Sequence, residues 1–137
     1  MIQKILLYSD GGARGNPGPA ASAFIATSPS GETMKVDSKF VGKRTNNQAE
    51  YEALLMALRY AAEQKAEEVT CYLDSELVAK QLTGQYQVRN AELQLLNRQA
   101  KTLLVNFKKV IFISVPREHP NISRADALVN QTLDRQK

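Results

Sequence analysis

"NQAEYEALLMALRYAAEQ", residues 47–64, is where the chain changes period. Leu54, Ala57, Leu58 and Ala61 fall at i, i+3, i+4 and i+7, the apolar stripe of a helix laid on a sheet. What precedes it reads as strand. Residues 2–9 and 19–27 are short apolar runs, and 33–41 alternates through Met34, Val36 and Phe40. "SPSGE", residues 28–32, carries the Pro, Ser and Gly of a hairpin connection. Three strands joined by short loops predict an antiparallel meander.

Beyond the helix, "EVTCYL" (68–73) is a fourth strand and "SELVAKQL" (75–82) a short helix that Gly84 can end. A longer helix over 90–106 carries Leu93, Leu96, Ala100, Leu103 and Leu104 on one stripe. "KVIFISV" (109–115) is a fifth strand, followed by a polar loop and a last helix through Leu128, Val129 and Leu133. The order βββαβααβα predicts an α/β fold. Its five-stranded mixed sheet joins the meander to two parallel strands and is flanked by helices, because a parallel return needs a crossover long enough to hold one. The 137 residues carry no repeat or linker, so a single domain over 1–137 is expected.

Composition excludes several classes. No stretch approaches the ~20 apolar residues that cross a bilayer, and "MIQKILLYSDGG" lacks a signal peptide's cleavage pattern. A soluble, cytoplasmic protein with no membrane association and no evident obligatory protein partner is expected. Cys71 is the only cysteine and reads as a small core residue; His119 is the only histidine. Intramolecular disulfides, zinc-binding cysteine clusters and multi-histidine sites are thereby excluded, so any metal must be held by oxygen. A net charge of +4 leans mildly toward polyanions and decides nothing alone.

Four acids stand near predicted element ends: Asp10 after the first strand, Glu50 at the start of the first long helix, Asp74 after the fourth strand, and Asp126 at the start of the last helix. Glu50 falls on the inward stripe, four residues before Leu54, where a carboxylate is costly unless paired or bound to a cation. Each acid also has a reading without chemistry. Asp10 fits a turn, Asp74 a helix cap, Asp126 a capping box with Ser123, and Glu50 a first-turn acid favoured by the helix dipole. Taken together, such carboxylates fit a hard divalent cation such as Mg²⁺, and paired ions suit phosphoryl chemistry. "GGARGNPG" (11–18) matches neither common phosphate-loop pattern, and Pro17 and Pro19 oppose a helix start there. It reads as a turn whose glycines permit tight backbone close to a ligand, with Asn16 and Arg14 best placed to reach one.

"YSDGGARGNPGPA", "TNNQAEYEALLMAL", "LDSELVAKQL" and "VPREHPNISRADALVN", in that order, resemble the type 1 ribonuclease H family over nearly the whole chain. The resemblance implies a ribonuclease H-like fold and hydrolysis of the RNA strand of RNA·DNA hybrids, largely independent of sequence and yielding 5′-phosphomonoesters. Two Mg²⁺ or Mn²⁺ ions held by Asp10, Glu50, Asp74 and Asp126 are implied with it, Asp10 bridging both. It further implies minor-groove contacts from Asn16, Asn46 and Asn47, and a DNA-phosphate contact from Thr45. Many relatives carry a basic helix where "TGQYQVRN" (83–90) is too short to hold one, so salt-sensitive binding is expected unless a patch such as Lys39, Lys43 and Arg44 compensates. Many also place a catalytic histidine in the loop that holds His119, at a longer spacing from the acid matching Asp126; the alternative is a solvated loop residue. Two other functions stand beside this one: a non-catalytic nucleic-acid-binding module, whose mark would be a missing acid, and a nuclease for another duplex on the same fold.

Overall fold

Small residues decide the centre of the sheet. In the computed structural model, which describes residues 4–136, Gly18–Thr27 forms a strand whose alanines and Ser22 are buried, leaving room for helices on both faces. Lys4–Ala13 is β1, Gly18–Thr27 β2, Thr33–Arg44 β3, Glu68–Leu73 β4 and Lys109–Ser114 β5. The sheet order is β3-β2-β1-β4-β5, antiparallel through β3, β2 and β1 and parallel from β1 to β4 and β5. This is the predicted mixed sheet. Four helices, α1 (Asn46–Glu63), α2 (Glu76–Leu82), α3 (Ala91–Leu104) and α4 (Pro120–Asp134), complete the order βββαβααβα.

Two cores lie on opposite faces of the sheet. On one, Leu54 and Leu58 of α1 with Leu93 and Leu96 of α3 pack over Ile5, Leu7, Phe24 and Val69. On the other, Ile122, Ala125 and Val129 of α4 pack over Tyr8, Ala21, Ala23 and Ile25. β3 is an edge strand, so Val36 and Phe40 stay 41% and 37% exposed despite their alternation. α2 ends as expected: Gly84 has φ +82°, Gly84 N–H donates to the Gln81 carbonyl and Gln85 N–H to the Lys80 carbonyl. Residues 83–90 hold no helix, and no helix among the described residues is long and apolar enough to cross a membrane.

The first strand departs from expectation. Its predicted start at residue 2 lies outside the described residues, and its end lies four residues beyond the predicted one. Asp10 is therefore inside β1, opposite Ala23, and Gly11 to Ala13 still pair with Ser22 to Ala20. The glycines at 11 and 12 are strand rather than turn; the reversal falls after Ala13 and is closed by Arg14 N–H donating to the Pro19 carbonyl.

β4 stops pairing with β1 at Tyr8 and Tyr72, leaving the far end of β1 without a strand on that side. Side chains of α1 take over. Gly11 N–H donates to Glu50 Oε1 at 3.0 Å and Ala13 N–H to Asn46 Oδ1 at 2.8 Å. Residues two apart on a strand are separated by ~6.7 Å and residues four apart on a helix by ~6 Å, so the two rows match. The approach is so close that a Cβ on Gly11 would lie 2.2 Å from the Ala49 carbonyl oxygen. That same carbonyl accepts from Ser22 Oγ at 2.7 Å.

Gly11→Ala is expected to lower stability by about 1–3 kcal/mol in urea unfolding, because backbone faces the added methyl. At Gly12 a Cβ meets only Val129 Cγ1 at 3.7 Å. Gly12→Ala is expected to stay within about 1 kcal/mol of the parent protein.

Candidate active site

Three carboxylates converge beside this contact. Asp10 comes from β1, Glu50 from α1 and Asp74 from the residue after β4, and one oxygen of each lies within 4.8 Å of the others. They open on a cleft of about 400 Å³ also lined by Asn46, Asn47, Asp126 and Arg117.

Local structure removes the turn, cap and first-turn readings, and places Asp10 and Asp126 inside their elements and Glu50 on the second turn, with Asp74 just after the end of β4 as expected. Thr45 caps α1: its Oγ1 accepts from Gln48 N–H at 3.1 Å while Gln48 Oε1 accepts from Thr45 N–H at 2.8 Å. The helix thus starts at Asn46, has no acid in its first turn, and carries Glu50 on the second turn, facing inward as its stripe predicts. Ser75, not Asp74, caps α2, accepting from Val78 N–H at 3.2 Å and leaving the Asp74 carboxylate to the cleft. α4 begins at Pro120, so Asp126 lies inside the helix rather than at its start, and the cap is His119 rather than Ser123. Asp126 borders the cleft outside the three-carboxylate cluster, and Asn130 Nδ2 donates to its carbonyl at 3.2 Å.

Burial sets the electrostatics. Burial, then repulsion from Asp74, pushes the Asp10 carboxyl up to about 7. Burial, then the Asp10 and Asp74 charges, raises Glu50 well above the usual carboxylate range, against the opposing pull of the Gly11 N–H. Glu50 Oε2 is buried with no hydrogen-bond partner among the described residues. An unpartnered buried oxygen on a carboxylate clustered with two others is satisfied by a proton or a cation, and an all-oxygen donor set fits a hard divalent ion.

Other predicted residues divide. Arg14 borders the cleft but is tied to Asp134 Oδ1 at 2.7 Å and to the Asn130 carbonyl at 3.3 Å. Asn16 does not line the cleft but holds Asn46, which does, its Oδ1 accepting from Asn46 N–H at 3.0 Å, and the Thr45 hydroxyl is spent on its cap. His119 does not border the cleft. Its Nδ1 accepts from Asn121 N–H at 3.2 Å, and its ring stacks on Tyr8 at 5.3 Å. Sequence reasoning missed Arg117, whose Nε lies 3.7 Å from Asp74 Oδ2, along with Ser75 and Asn130. Only the position of Arg117 in the polar loop before α4 hinted at it.

Fold and cluster define a class, an α/β protein of ribonuclease H-like architecture with an all-oxygen site able to hold a cation. The family model described as reverse transcriptase-like matches residues 8–132. Ribonuclease HI of Halobacterium salinarum is 40% identical over 131 residues, covering 96% of this chain and 65% of its own length. The crystal structure of RNase H1 from that archaeon has a TM-score of 0.91 at 39% identity, over 96% of this chain and 98% of the other. LC11-RNase H1 in complex with RNA/DNA hybrid has a TM-score of 0.90 at 37% identity, over 96% and 98%. The chain belongs to the type 1 ribonuclease H family. It spans about two thirds of the length of the halobacterial protein.

A carboxyl raised in the folded state from 3.8 to about 7 binds its proton more tightly there than when unfolded. The resulting stabilisation is complete below the unfolded value and is lost as pH rises through about 7. In divalent-free buffer, thermal melts should therefore show Asp10→Asn gaining on the parent as pH rises from the ordinary carboxylate range through about 7. Separately, His119→Ala is expected to cost about 1 kcal/mol through loss of the α4 cap, and His119→Asn to restore most of it in the same melts.

Proposed function

We propose that this chain is an endoribonuclease that hydrolyses the RNA strand of RNA·DNA hybrids, largely independently of sequence, leaving 5′-phosphate ends. It acts as a single ribonuclease H domain over 1–137, in the cytoplasm, with two Mg²⁺ or Mn²⁺ ions held by Asp10, Glu50, Asp74 and Asp126. The observation that carries this reading is the buried, unpartnered Glu50 Oε2 beside two further carboxylates. Bound divalent ions supply Lewis acidity, activating a water on one side of the phosphodiester and stabilising the leaving oxygen on the other.

The chain's own residues prepare that chemistry. Gly11 N–H holds one Glu50 oxygen and so fixes the carboxylate in the cluster with Asp10 and Asp74. Arg117 adds the positive charge beside Asp74 that an approaching phosphate needs. Asn16 and Asn46, joined at 3.0 Å, and Asn47 offer neutral amides suited to the 2′-hydroxyls that distinguish RNA from DNA in a wide minor groove. The hybrid complex of LC11-RNase H1 supports this substrate. With no basic helix in 83–90, binding is salt-sensitive, helped by Lys39, Lys43 and Arg44.

Incubation with end-labelled hybrid, RNA duplex and DNA duplex in Mg²⁺ tests the proposal. Cleavage of the hybrid's RNA strand is expected, with Asp10→Asn losing more than the ~100-fold typical of residues that merely support a metal ligand. His119→Ala should lose less than the ~100-fold that removal of a general acid or base costs. An intact hybrid, or one cut equally well by Asp10→Asn, would refute the assignment.

A further inference from the structure

Tyr51 is a large side chain with no exposure at all, and its hydroxyl is not aimed at the cleft. It donates to Gln81 Oε1 at 2.7 Å and accepts from Asn97 Nδ2 at 3.2 Å. The three side chains come from α1, α2 and α3, and Gln81 and Asn97 are each more than nine-tenths buried. Stability alone does not account for such a trio, since well-packed apolar residues of similar volume commonly serve as well, while a half-satisfied buried network is costly.

Its position in the chain supplies the missing reason. Tyr51 follows Glu50 on the helix anchored to β1. α2 has seven residues, too few to be stable by itself, and its cap Ser75 directly follows Asp74. Val78 and Leu82 bury α2 against the core, but apolar burial is non-directional. A hydrogen bond between two buried side chains has a required length and angle, so it fixes the height and rotation of the short helix. We propose that Tyr51 is a positioning residue that holds α2 against α1 and thereby keeps the Asp74 carboxylate at the separation from Asp10 and Glu50 that a shared divalent cation requires. The inference rests on the metal reading of the same cluster.

Mn²⁺ binding, followed by the paramagnetic resonance of the free ion, tests it in Tyr51→Phe and in the triple variant Tyr51→Phe/Gln81→Leu/Asn97→Leu. Both should bind Mn²⁺ about tenfold more weakly than the parent, in the range seen when outer support of a metal ligand is lost. The hybrid KM should be unchanged and the triple variant should melt higher than Tyr51→Phe. If Tyr51→Phe does not fold, the triple variant decides. Affinity within about twofold of the parent in a folded variant overturns the positioning role and leaves the proposed activity standing. A parent protein that binds no Mn²⁺ overturns the metal reading, and this inference with it.

Discussion

The start of α1 lies against bare backbone at Gly11, and the cleft depends on that contact. No Cβ fits between the strand and the Ala49 carbonyl, so only glycine lets the helix come close enough for its Glu50 carboxylate to take the Gly11 N–H. The same approach places Asn46 on Ala13 and Ser22 on Ala49. The alanines of β2 leave room for helices on both faces, and the early end of the β1–β4 ladder frees the amides that α1 claims. A displaced helix would take Glu50, Asn46 and Asn47 with it, and the cleft would lose one wall.

Closeness has an electrostatic cost that fixes what the site can hold. Asp10, Glu50 and Asp74 are drawn together in surroundings that exclude much of the water, and burial first, then mutual repulsion, raises Asp10 and Glu50 toward the protonated state. Proton and divalent cation therefore compete for one cluster. The Gly11 N–H offsets part of the repulsion at Glu50, and Arg117 stands beside Asp74, yet neither reaches the second oxygen of Glu50.

Much of this was legible in the residues alone. The change of period at residue 47 separates meander from crossovers, and the inward stripe of α1 places Glu50 at the sheet without any coordinates. The end of β1 was not legible, because Gly11 and Gly12 look like a turn when seen singly. Whether they continue a strand is decided by pairing with β2, a long-range matter. Nor were the caps: Ser75 and His119 took positions that Asp74 and Ser123 could equally have filled, and the choice frees or commits a carboxylate. The same holds for His119, which lies in the loop expected of it and yet spends its ring nitrogen on α4 and its face on Tyr8. The direction of Arg117 depends on loop conformation, for which no sequence pattern exists.

Membership of the type 1 ribonuclease H family places the chain among proteins of known architecture, and its cluster supplies the reason for the chemistry proposed. The most direct test is a crystal of the protein soaked in Mn²⁺ and measured for anomalous scattering. The account predicts a peak among Asp10, Glu50 and Asp74 in contact with Glu50 Oε2. A site without a peak, with that oxygen still unpartnered or bonded only to a neighbouring protonated carboxyl, would contradict it.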